Sequence, residues 1–83
     1  MMNERDVYQA LNEIFREVFD DPSMEVTPEL SANDVAEWDS FNHINIIVAS
    51  EQRFGVKFHT SEIESLRNVG EFAELITRKR LAA

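Results

Sequence analysis

The sequence predicts an all-α fold, a four-helix bundle of three principal helices and one short helix, with a long loop between the first two. Three observations carry that prediction. Apolar residues recur at helical spacing in three separated stretches, helix caps and stops punctuate them, and no segment alternates long enough to be a strand. The 83 residues fit one domain over 1–83, and 43% of them are apolar, enough for one small core.

The first helix runs from Asn3 to about Phe19. Val7, Leu11, Ile14 and Val18 mark one face, Asn3 suits the N-cap, and Glu4 and Asp6 suit the positive end of the helix dipole. Asp20-Asp21-Pro22 ends it, because proline lacks an amide hydrogen and restricts the residue before it. Residues 20–39 then form a connection longer than compact domains usually tolerate without a functional reason. Its spaced anchors Met24, Val26, Leu30, Val35 and Trp38 predict that it packs on the bundle, with at most one short helical turn near 32–36.

The second helix spans Ser40 to about Phe54, capped by Asp39 and closed by Gly55. At 100° per residue its apolar arc holds Ile44, Ile47 and Phe54, with Ile46 at one margin and Phe41 and Val48 at the other. Asn42, Asn45, Gln52 and Arg53 face solvent, while His43 and Ser50 project into the apolar arc. Ser50 is expected to bond back to the carbonyl one turn earlier, or to leave room in the bundle. Val56-Lys57-Phe58 is too short for a strand. Thr60 or Ser61 caps a short helix through Leu66, with Ile63 and Leu66 pointing inward. Asn68 caps the last helix, 69–80, with Val69, Phe72 and Ile76 on one face, Ala73 and Leu75 flanking, and Arg78, Lys79 and Arg80 at its negative end.

Composition excludes several functions. Without cysteine there is no disulfide, thiolate metal site or cysteine nucleophile, and His43 and His59 lack carboxylates at metal-ligand spacing. Gly55 and Gly70 are the only glycines, so no phosphate-binding loop exists. Ser40 and His43 lie on adjacent turns, yet a Ser-His hydrolase also needs an oriented third group, an oxyanion hole and a cleft. The N-terminus lacks a signal-peptide pattern and no apolar run reaches membrane-spanning length, which predicts a cytoplasmic monomer without membrane insertion. The formal charge of −8 disfavours nucleic acid. Residues 1–39 hold eleven acids against Arg5 and Arg16, a balance of −9, whereas residues 40–83 stand at +1.

Trp38-Asp39-Ser40-Phe41 is the strongest local signal. Asp-Ser before a helix is a common cap, and a phosphodiester on such a serine would also sit at the positive end of the dipole. The stretch resembles the Asp-Ser-Leu signature of acyl and peptidyl carrier proteins, with Phe41 replacing leucine. The likeness continues in Val26-Thr27-Pro28-Glu29-Leu30, in Glu51-Gln52-Arg53-Phe54-Gly55 and in Val69-Gly70-Glu71-Phe72-Ala73-Glu74-Leu75-Ile76.

That resemblance implies a non-catalytic carrier, with 4′-phosphopantetheine moved from coenzyme A onto Ser40 by a phosphopantetheinyl transferase. The arm would hold acyl groups as thioesters, so a protein without cysteine still handles thioester chemistry. Asp39 would assist modification and cap the helix; His43 would touch the arm's phosphate or a polar cargo, or else bond to backbone. Phe41, Asn45, Val48, Glu51 and Gln52 would meet partners, namely an acyl- or aminoacyl-activating ligase and downstream acyl-transfer or condensing enzymes. The second helix holds only one acid, Glu51, which suggests a specialised stand-alone carrier in lipid, fatty-acid, polyketide or related synthesis, with docking less driven by charge. An aminoacyl or peptidyl carrier is the alternative, and an unmodified helical interaction module a further one.

Overall fold

The computed structural model describes residues 3–82. Four helices follow one another: α1 (Glu4–Val18), α2 (Ser40–Phe54), α3 (Thr60–Glu64) and α4 (Val69–Ala82), with a 3₁₀ turn at Ala32–Asp34 inside the long loop. No strand occurs among the described residues, and Val56-Lys57-Phe58 is irregular. No described helix is long and apolar enough to cross a membrane.

Each boundary has a local cause. The Asn3 side chain accepts the Asp6 amide at 2.9 Å while Asp6 accepts the Asn3 amide at 3.2 Å, a reciprocal cap for α1. Past the end of α1, Asp20 sits at φ 52°, in the left-handed region that Asp tolerates better than most residues. Gly55 ends α2 at φ 68°, and its amide donates to the Glu51 carbonyl. The short α3 begins one residue earlier than its sequence suggests. His59 is its N-cap, and the His59 amide donates to Glu62, which also receives Lys79 at 2.9 Å.

The core is built by Val7, Leu11, Ile14 and Phe15 of α1, Ile46 and Phe54 of α2, and Val69, Phe72, Ala73 and Ile76 of α4, with Val26 from the loop. α1 packs on both α2 and α4. Phe15 is fully buried although it lies beside the stripe that the spacing marks, whereas Val18 is only half-buried.

The correction concerns α2. Its buried line is Ile46, Ser50 and Phe54, and Ile44, expected within the apolar arc, is 60% exposed. Phe41 and Val48, expected at a margin of that arc, are exposed too. The helix carries apolar side chains on most of its circumference, so hydropathy alone locates its inner face poorly. The packing of α1 decides the rotation.

The long loop is strapped down rather than free. The Val26 amide donates to the Asn12 side chain at 2.7 Å, and Arg16 Nε donates to the Met24 carbonyl at 2.7 Å. At its other side the loop caps α4: the Leu30 and Pro28 carbonyls accept the Val69 and Gly70 amides at 2.8 and 2.9 Å. Those amides open a helix and have no partner within it. Gly70 permits this approach, since a Cβ there would lie 3.0 Å from the Pro28 carbonyl oxygen. Met24, Leu30 and Trp38 pack against the core, whereas Val35 remains outside that cluster.

Candidate functional site

The loop delivers the chain to the head of α2 through tight backbone turns. The Trp38 amide donates to the Val35 carbonyl and the Asp39 amide to the Glu37 carbonyl. Asp39 is the N-cap: its carboxylate accepts the Asn42 amide at 2.8 Å, and its carbonyl accepts the His43 amide at 2.9 Å. Asn42 Nδ2 reaches back to the Glu37 carbonyl at 2.8 Å, locking the entry angle. Ser40 is therefore the first residue of a 15-residue helix, exposed, on backbone fixed from both sides.

Beneath this entry, Trp38 stands edge-on to Phe15 at 5.2 Å between ring centroids and tilted to Phe19 at 6.1 Å. Its indole N–H donates to His43 Nδ1 at 3.2 Å, and the two rings stack. Indole nitrogen only donates, so Nδ1 of His43 must be the unprotonated nitrogen. The sequence places His43 inward but gives no partner; the structure supplies a side chain, Trp38, where backbone was expected. Trp38 and His43 also border a cavity of about 80 Å³, together with Ile46, Ile47, Leu66 and Phe72.

Outside, Phe41, Ile44 and Val48 form an apolar ridge at 72, 60 and 46% exposure, starting next to Ser40. Ile44 is the member that the helical spacing missed, because the polar His43 and Ser50 occupy the inner line and displace the apparent apolar centre. Asn45 is half-buried and bonds to Asn42, and Gln52 is exposed. Glu51 is turned to the Phe58 amide at 2.9 Å, which ties the segment after α2 to the helix. Ser50 is completely buried, and its hydroxyl has no hydrogen-bond partner. The expected bond to the carbonyl one turn earlier does not form.

A helical bundle whose loop presents an exposed serine at a helix head, beside an apolar ridge, has the architecture of a carrier protein. No protein-family model matches the chain. It is 30% identical over 82 residues to an acyl carrier protein of Acidothermus cellulolyticus, covering 99% of this chain and 98% of that one. It is 32% identical to an acyl carrier protein of Thermobifida fusca, with 92 and 96% covered, and 33% identical to a meromycolate extension acyl carrier protein of Mycolicibacterium aurum, with 92 and 78% covered. The solution structure of a holo acyl carrier protein from Geobacter metallireducens superposes with a TM-score of 0.84 at 47% identity, covering 92% of this chain and 86% of that one.

The chain belongs to the acyl carrier protein family. It has an acyl carrier role in fatty-acid or lipid synthesis, for which the prosthetic group is phosphopantetheine. The residues present fit that group. An exposed serine stands at the positive end of α2, where a phosphodiester is stabilised. When bound, the arm supplies the thiol that the sequence lacks.

Proposed function

We propose that Ser40 is the attachment residue of the phosphopantetheine arm, and that the protein serves a specialised lipid pathway with docking that is mainly apolar. The observation that carries the first part is an exposed serine hydroxyl at the first position of α2, on a backbone fixed by Asp39, Asn42 and the turns before it. Asp39 acts there as a structural cap, which holds Ser40 in the conformation that a phosphopantetheinyl transferase would meet. The arm then swings from a rigid base, so cargo position depends on the arm and not on loop motion.

The docking reading rests on the ridge Phe41, Ile44 and Val48, with Asn45 and Gln52 as polar neighbours. Three exposed apolar side chains on one face suit apolar recesses in partner enzymes, with charge depleted at the centre of the contact. Glu51 contributes little, because its carboxylate already serves the Phe58 amide. The partners in this reading are the transferase, an acyl-activating ligase and acyl-transfer or condensing enzymes of the cytoplasm.

Incubation with coenzyme A and a broad-specificity phosphopantetheinyl transferase, followed by intact mass measurement, tests the attachment. One added arm is expected, absent in Ser40→Ala. An arm retained by Ser40→Ala, or no arm on the wild type, would refute it.

A further inference from the structure

The Ser50 hydroxyl is the one buried polar side-chain atom among the described residues left without a hydrogen bond. It is fully inaccessible in the middle of α2, flanked along the helix by Ile46, Ile47 and Phe54. An unpartnered buried hydroxyl is costly, and folded proteins rarely keep one without a reason. Two inexpensive remedies are lacking. The hydroxyl does not bond back along its own helix. A trapped water would need two or more polar partners, and the neighbours of Ser50 along the inner line of α2, Ile46, Ile47 and Phe54, are apolar.

The position of Ser50 relative to the cavity indicates what would satisfy it. At the cavity, His43 lies on nearly the same line of α2 as Ser50, about 20° away at 100° per residue. Ser50 sits about 10 Å further along the axis at the α-helical rise. Ile46 and Ile47 line the cavity between them and are one turn from Ser50. The inner line of α2 is therefore polar at His43, apolar at Ile46 and Ile47, and polar again at Ser50, which lies one turn beyond the residues that line the cavity. A saturated chain following that line would leave the hydroxyl as unsatisfied as before.

We propose that the interior beside α2 is fitted to an acyl chain bearing a hydroxyl or keto oxygen in mid-chain, and that Ser50 is the residue that selects it. This rests on the attachment of the arm at Ser40. The cavity of about 80 Å³ is the entrance, and the chain widens it by parting Ile46 and Ile47 from Leu66 and Phe72. The oxygen of the cargo then gives the Ser50 hydroxyl its missing partner, while the methylenes on either side meet apolar walls. An oxygen next to the thioester falls short of Ser50, which lies about 10 Å beyond His43 along the helix.

The test uses the holo-protein loaded with three acyl chains of equal length: saturated, hydroxylated at the third carbon, and hydroxylated in mid-chain. Intact mass confirms loading at Ser40, and thioester cleavage by hydroxylamine reads how far each cargo is sheltered. The mid-chain hydroxylated cargo should be cleaved roughly tenfold more slowly than the other two, the worth of one buried hydrogen bond. Ser50→Ala, which keeps helix propensity and removes only the hydroxyl, should abolish that difference. Equal cleavage of all three on the wild type, or a preference that survives in Ser50→Ala, would overturn the assignment. Absence of the arm from Ser40 would instead overturn the attachment reading, and this inference with it; a loaded protein without the preference overturns this inference alone.

Discussion

Replacing Trp38 by Phe removes one donor and part of one ring from the joint between loop and α2. The lost indole bond to His43 is worth about 1 kcal/mol net, since both groups are only partly buried. A smaller ring against Phe15 and Phe19 costs about 1 kcal/mol more in packing. The total of about 2 kcal/mol corresponds to a Tm lower by roughly 8–16 °C in a domain of this size. Circular dichroism is the suitable probe, because Trp38 is the sole tryptophan and its fluorescence vanishes in the variant. His43→Ala removes the same bond from the other side, so the two substitutions together should cost about 1 kcal/mol less than their sum. Additive effects, within a few tenths of a kcal/mol, would refute the claim that this pair joins loop to helix.

The other predictions address the loop, acid stability and docking. Gly70→Ala should destabilise by about 1–2 kcal/mol in urea unfolding despite the better helix propensity of alanine, because its Cβ meets the Pro28 carbonyl. The hydrogen bond from the His59 amide, then that from Lys79, holds the Glu62 carboxyl below its ordinary range, and the bonds from Arg67 do the same for Glu71. A depressed folded value means that stability is present above the ordinary carboxylate range and is lost as pH falls through the folded value. Tm should therefore fall on acidification below about pH 4.5, and Glu62→Gln should flatten that fall. Phe41→Ala should leave the unfolding free energy within about 0.5 kcal/mol of wild type, since its ring is exposed, yet lower the rate of transfer by a partner enzyme several-fold. Raising salt should alter that transfer far less than the substitution does.

Local chemistry made most of the frame legible. Asn3, Asp39, Gly55 and Asn68 act within a few residues of themselves, so caps and stops could be placed from neighbouring letters alone. The start of α3 moved by one residue because the bond between the His59 amide and Glu62 outweighs the better intrinsic caps Thr60 and Ser61. Ser40 was legible for the same reason as the caps, since its place at a helix head is a local fact.

The inner face of α2 was not legible in this way. Apolar residues occupy more than half of the circumference of that helix, and which of them face inward depends on how α1 packs against it, a contact between residues far apart in sequence. Tertiary packing thus exposed Ile44 and buried Ser50. It also determined that His43 meets Trp38 and that Glu51 serves a neighbouring backbone amide. The sequence by itself determined the helices, the ends of α1 and α2 to within a residue, and the serine that begins α2, because those follow from hydrogen bonds within one turn, whereas the short α3 ends at Glu64 and not at the expected Leu66. Only the tertiary structure decided which faces of α2 are the docking ridge and the interior line, because burial is settled between elements and not within them.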